Sequence, residues 1–202
     1  MPPLVLLAGM NCTHDLWADA EFGSAIRPDL AEPSIGRQVD ALLAEVPERV
    51  VLVGHSLGGI VAMALALAAP ERVAGLCLVS TNAKAPTDAQ RDGWRGWLAR
   101  LDADADAGAD ARELQESIIE PLLGADLVRE RPDLVERTLR MGADTGETRL
   151  RAQLEMQLTR EDLLSRLAEL RMPTLVVSGF DDVICPPHFH TEIASEIPDS
   201  RL

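Results

Sequence analysis

Residues 50–63 read VVLVGHSLGGIVAM. The run Val50, Val51, Leu52, Val53 has no polar alternation, which predicts a strand buried on both faces. Residues 57–69 are apolar nearly all round, which predicts a helix packed under a sheet. Between them lies Gly54-His55-Ser56-Leu57-Gly58, a G-x-S-x-G pattern on a strand-to-helix turn. A serine on so sharp a turn crowds the residues two before and two after it, and a larger side chain at either place would clash. The helix starting at Leu57 turns its free amides and positive dipole end toward the position where an oxyanion would form. Ser56 is therefore a candidate nucleophile. A phosphate-binding loop would need further glycines and a lysine here, and the chain has neither.

Working outward, short apolar runs predict strands at residues 4–7, 49–53, 73–79 and 174–177. Ile35, Val39, Leu42, Leu43 and Val46 form a helical stripe behind Ser34, a suitable N-cap. Strands alternating with helices imply an α/β fold with a doubly wound, mostly parallel sheet. From Asn82 to Arg171 the strand signal stops. The expected organisation is a core of residues 1–81 and 172–202 with an all-helical cap inserted at 82–171. In the cap, Trp94, Trp97, Leu98 and Leu101 share one helical face, and Leu114, Ile118 and Leu122 share another. Pro132 opens a third helix carrying Val135 and Leu139. Thr159 with Asp162 forms a capping-box pattern ahead of Leu163, Leu164, Leu167 and Leu170, and Met172-Pro173 ends that helix.

Composition limits the function. The 202 residues are 47% apolar, enough for one core with an insertion, and the formal charge of −14 opposes binding to nucleic acid or an anionic membrane. The N-terminus lacks a secretory pattern and no apolar run is long enough to span a bilayer, so a cytoplasmic location is expected. Cys12, Cys77 and Cys185 are odd in number and lack metal-ligand spacing, which predicts reduced thiols. Asp102, Asp104, Asp106 and Glu113 fall on calcium-loop positions, but Ala107 stands where the turn needs glycine. The reading taken is an acidic, solvated loop, and no metal or cofactor is expected. No feature of the sequence specifies an oligomeric state.

Three segments occur in the order found in the α/β-hydrolase fold superfamily: LVLLAGMNCTHDLW, then VLVGHSLGGIVAMALALAAPERVAGLCLVST, then MPTLVVSGFDDVICPP. The chain resembles the cap-bearing esterase, lactonase and thioesterase branch. That resemblance implies a serine hydrolase acting on a small-molecule ester, thioester or lactone through an acyl-enzyme, with acyl transfer as a variant using the same residues. It makes Ser56 the nucleophile and gives the oxyanion hole to the backbone amides of Leu57 and Met10, although Ala8-Gly9 replaces the frequent His-Gly before the second donor. The catalytic carboxylate follows the strand-ending Gly179 by three residues, which selects Asp182 with Asp181 as neighbouring alternative. Trp94, Trp97 and Met141 are candidate substrate-pocket walls.

The family order is serine, acid, histidine. By resemblance the histidine is expected about ten residues beyond Leu202, after one more strand. Of the four histidines present, His55 stands in the elbow and is expected to point away from the reacting face. His14 lies in the oxyanion loop, and His188 and His190 start the helix after the acid, where a cation is disfavoured. The expectation is a chain impaired for want of its base, with a sheet edge and apolar faces left uncovered. The alternative is a binding protein that keeps the fold without turnover.

Overall fold

The computed structural model describes residues 2–103 and 110–202. Its sheet is built from β1 (Leu4–Leu7), β2 (Val50–His55), β3 (Val73–Val79), β4 (Thr174–Val177) and β5 (Ser200–Arg201), in that spatial order, with every pair parallel. β1, β3 and β4 have the predicted bounds, whereas β2 starts one residue later than expected and continues through Gly54 to His55. On the far side of β1, Ile26 makes a parallel bridge to Val5 and exchanges backbone hydrogen bonds with Leu4 and Leu6, each 2.9 Å. The chain thus steps to one side of β1 and then crosses to the other, which makes β1 and β2 the point where strand order reverses. In parallel sheets that point opens a crevice at the carboxyl ends of the strands.

Helix α1 (Ile35–Glu45) starts at Ser34, whose hydroxyl accepts from the Arg37 amide at 3.3 Å, a cap worth about 1 kcal/mol. Helix α2 (Leu57–Ala68) follows β2 with no intervening loop. Leu57, Val61, Ala62, Met63, Leu65 and Ala66 are each 0% exposed, so the all-round apolarity of this helix reflects contact with α1 and with three strands.

Between β3 and β4 the chain is helical: α3 (Asp88–Ala103), α4 (Ala111–Ser117), α5 (Ile119–Leu123), α6 (Ala125–Glu130) and α7 (Pro132–Leu158). The single helix expected through Leu114, Ile118 and Leu122 is two, broken at Ile118 (φ −120°, ψ 13°). Pro121 explains the break, because its ring would strike the carbonyl four residues back and it has no amide to donate. Pro132 does open a helix, but that helix runs for 27 residues and bends where Gly146 adopts φ 71°. The capping box at Thr159 does not form. The Thr159 hydroxyl bonds to the Met156 carbonyl and accepts from the Ile35 amide, so the residue closes α7 rather than opening a helix. Leu164–Glu169 is a 3-10 helix, preceded by Asp162 accepting from the Leu164 amide. Met156, Leu163, Leu167 and Leu170 join the main core beneath the sheet, so the seam with the helical block runs through the end of α7.

Helix α8 (Pro187–Glu196) leads into β5. On one face of β4, Leu175 and Val177 are 48% and 39% exposed. Of the calcium-loop residues, Asp104, Asp106 and Ala107 lie outside the described residues. Asp102 pairs with Arg151 and Glu113 with Arg100, so both carboxylates are engaged by arginines. Among the described residues no helix is long and apolar enough to cross a membrane.

Candidate active site

The register Leu7↔Gly54 places the ends of β1 and β2 side by side, so the loop after β1 and the turn after β2 face one crevice. Ser56 occupies that turn at φ 51°, ψ −117°, a region non-glycine residues rarely adopt. Hydrogen bonds hold it there. The Ser56 amide donates to the Val79 carbonyl at 3.0 Å, and the Ser56 carbonyl accepts from the Thr81 hydroxyl at 2.7 Å and from the Gly59 amide at 2.9 Å. Thr81 is itself fixed: its amide donates to His190 Nε2 at 3.0 Å. The elbow glycines are required by close approach. A Cβ on Gly54 would lie 2.6 Å from the Gly59 Cα, and one on Gly58 would lie 2.6 Å from the Ala8 carbonyl oxygen.

A cleft of about 1180 Å³ opens over this turn. Its floor includes Ser56, His55 and Ser80; one wall is Asp181, Asp182, Val183 and Ile184, and the cap wall is Ile119, Leu122, Leu123 and Leu127. Asp182 is the better-anchored carboxylate, since its Oδ1 accepts from the amides of Ile184 at 2.9 Å and Cys185 at 2.7 Å. Among the described residues, neither the Leu57 nor the Met10 amide donates a hydrogen bond, which leaves both available as donors.

Trp94, Trp97 and Met141 are placed differently from the pocket-wall expectation. The two tryptophans pack against Leu101, Ala111, Leu114, Leu150 and Leu154 inside the cap, Met141 is 5% exposed, and none of the three lines the cleft. Helical spacing identified their apolar face correctly, but that face is turned toward α7. The cleft is walled instead by α5 and α6, whose Leu122 and Leu127 are 37% and 42% exposed.

No imidazole bonds to Ser56 Oγ among the described residues. His55 stacks edge-on to Trp17 at 6.4 Å and lies where a Cβ on Gly9 would meet its Nδ1 at 2.8 Å, so it supports the underside of the oxyanion loop. His190 accepts from Thr81, His188 packs on Phe189, and His14 lies 4.0 Å from Asp29. The role of His190 in bracing the elbow was missed by sequence reasoning, because its partner is 109 residues away.

Burial pushes the His55 pKa down to about 4, against the opposing pull of Asp182. Burial lowers His190 as well. His55 in the unfolded chain takes up a proton near pH 6.5 that the folded protein refuses until about pH 4. Stability should therefore fall as pH drops through that interval, by at most about 1.4 kcal/mol per pH unit for His55, with His190 acting in the same direction. Urea unfolding at pH 7, 6 and 5 checks this; His55→Gln should reduce the slope, with the His190 part remaining. Burial also raises Cys12 and Cys185 to about 12, which leaves these thiols protonated and poor nucleophiles.

Comparison with known proteins agrees with this geometry. The chain is 30% identical over its whole length to a pimeloyl-[acyl-carrier protein] methyl ester esterase of Aromatoleum aromaticum, the alignment covering 88% of that protein. It is 33% identical over 153 residues to a protein of Azorhizobium caulinodans named for carbamate hydrolysis; the match covers 74% of this chain and 54% of that one. The crystal structure of a hydrolase from Pseudomonas aeruginosa superposes with a TM-score of 0.80 at 25% identity, over 100% of this chain and 80% of the other. The family model for the alpha/beta hydrolase fold matches residues 22–202, and with the strained Ser56 between β2 and α2 this assigns the chain to the alpha/beta hydrolase family.

Proposed function

We propose that the chain is a serine hydrolase of carboxylic esters, thioesters or lactones, with Ser56 as nucleophile, Asp182 as the acid, and the Leu57 and Met10 amides as oxyanion donors. The observation that carries this reading is Ser56 itself, a non-glycine residue held at φ 51° on the floor of a large cleft. Such a conformation costs about 1–3 kcal/mol, and a turn needed only for packing would place glycine there. Relatives named for methyl ester and carbamate hydrolysis support a carbonyl substrate with a heteroatom leaving group. A small molecule suits the cleft, and the charge of −14 disfavours nucleic acid. A cytoplasmic setting fits both.

In acylation Ser56 Oγ bonds to the carbonyl carbon, the bond to the leaving alcohol or thiol breaks, and the serine proton passes to the leaving group. Water then attacks the acyl-enzyme, releasing the acid and restoring Ser56. Both steps need a base. With none of the four imidazoles bonded to Ser56 Oγ, turnover by these 202 residues is impaired, which also motivates the alternative of a binding protein without turnover.

A fluorophosphonate probe tests the reading. One adduct is expected, on Ser56 by peptide mass, absent in Ser56→Ala, formed slowly and faster when free imidazole is added. A folded protein that leaves Ser56 unlabelled, with or without imidazole, belongs to the binding alternative. Acyl transfer in place of hydrolysis is distinguished by the product formed with an added alcohol or amine.

A further inference from the structure

The oxyanion loop is held from above by glutamines of the cap. Asn11, next to Met10, is 0% exposed and sits at φ 57°. Its amide donates to Gln153 Oε1 at 2.8 Å, and Gln153, 2% exposed on α7, donates in turn to the Leu30 carbonyl at 2.9 Å. The Asn11 side chain donates to the Ala111 carbonyl at 2.6 Å and to Gln115 Oε1 at 3.1 Å, both on α4. One helical turn beyond Gln153, Gln157 Nε2 lies 3.9 Å from the Met10 sulfur. Gly142 allows this convergence, since a Cβ there would lie 2.8 Å from the Ala111 carbonyl oxygen and drive α4 from α7.

Hydrophobic packing alone would not need these bonds. A buried amide without an acceptor is strongly unfavourable, so the bond to Gln153 ties the Asn11 amide to α7. The bond fixes the peptide that follows Met10, and with it the direction of the Met10 amide. From this we infer that Gln153 is a positioning residue for the oxyanion hole, so that the cap orients a catalytic donor as well as walling the cleft. The inference rests on the reading of Ser56 as nucleophile and Met10 as donor, but its structural half can be measured separately.

The test compares Gln153→Leu, which removes the acceptor and keeps most of the volume, with Leu139→Ala, which opens a cavity on α7 at a buried residue outside both clusters that Met10 packs against. Two readouts are taken on the folded chain: the saturation kinetics of fluorophosphonate labelling at Ser56, and hydrogen exchange of residues 9–13. For Gln153→Leu, the maximal labelling rate should fall about 10- to 100-fold with the half-saturation concentration within about twofold, as expected for a donor displaced by about 1 Å. Exchange at residues 9–13 should rise. For Leu139→Ala both should stay within about twofold of the parent. Equal effects in the two variants, or unchanged exchange in Gln153→Leu, overturn the inference. If the parent itself is not labelled, the nucleophile reading fails, while exchange still decides whether Gln153 holds the loop. Should Gln153→Leu not fold, Gln153→Met, which also lacks the acceptor but keeps an unbranched side chain of similar length, takes its place with the same expected outcomes.

Discussion

Ser56→Gly should give a protein that is more stable than its parent and unable to form an acyl-enzyme. The two effects have separate causes. At φ 51°, ψ −117° the serine Cβ is held in a conformation that costs about 1–3 kcal/mol and that glycine adopts freely. Part of that is returned through the greater freedom of glycine in the unfolded chain, leaving an expected gain of about 1 kcal/mol in urea unfolding. Loss of the hydroxyl should reduce phosphonate labelling by about 1000-fold or more. Ser56→Ala separates the causes: it keeps the Cβ and its strain while losing the oxygen, so labelling should fall equally with no gain in stability. A Ser56→Gly protein less stable than Ser56→Ala would mean that the turn is not strained. A stable but inactive glycine variant would show that the elbow is maintained at a cost for what the hydroxyl does.

Parts of this site could be read locally and parts could not. β1, β3 and β4 were recoverable because short apolar runs bounded by proline, glycine or polar residues leave a buried parallel strand little choice of bounds. The elbow was recoverable because its glycines answer clashes with residues four or five positions away, as Gly54 does with Gly58 and Gly59. Pro121 carried a legible signal that a helix through Ile118 would break, and the apolar spacing of Leu114, Ile118 and Leu122 overrode it. The tryptophans show a different limit. Periodicity told which face of α3 is apolar, but whether that face meets another helix or a cleft depends on the placement of α5, α6 and α7. The bond from Asn11 to Gln153 spans 142 residues and joins a backbone amide to a neutral side chain with no local pattern, so only the folded chain reveals it.

The topology explains how the proposed site residues come together. Because β1 and β2 are adjacent at the reversal of strand order, the β1 loop brings Met10, a proposed donor, beside the proposed nucleophile Ser56 and the proposed donor Leu57 of the β2 turn. β4 lies two strands from β2, and the loop after it carries Asp182 to the same cleft. The cap, arriving between β3 and β4, crosses above these loops, which is how α4 and α7 come to hold Asn11. Fold and site are therefore coupled most tightly where α2 passes beneath the β1 loop, and a substitution there should disturb both.

Gly58→Ala is that substitution, and it should cause the largest loss of stability of any single methyl addition discussed. The added Cβ would stand 2.6 Å from the Ala8 carbonyl oxygen and closer still to that of Leu7, and both obstacles are backbone. No rotamer change relieves them. Relief requires α2 to move away from β1, and Leu57, Val61 and Leu7, each 0% exposed, resist that movement. Overpacking in a core usually costs about 1–3 kcal/mol, and a backbone clash at this distance should exceed it. Against a total stability of about 5–15 kcal/mol, much of the protein would lose cooperative unfolding at moderate temperature. Gly93→Ala is the control: its Cβ would meet no heavy atom within 4 Å in the middle of α3, so helix propensity alone should act, raising stability by up to about 1 kcal/mol. Thermal and urea unfolding of the two variants should therefore shift in opposite directions. A Gly58→Ala protein with parental stability would mean that α2 does not pass so close to β1, and the elbow geometry built on that contact would have to be given up.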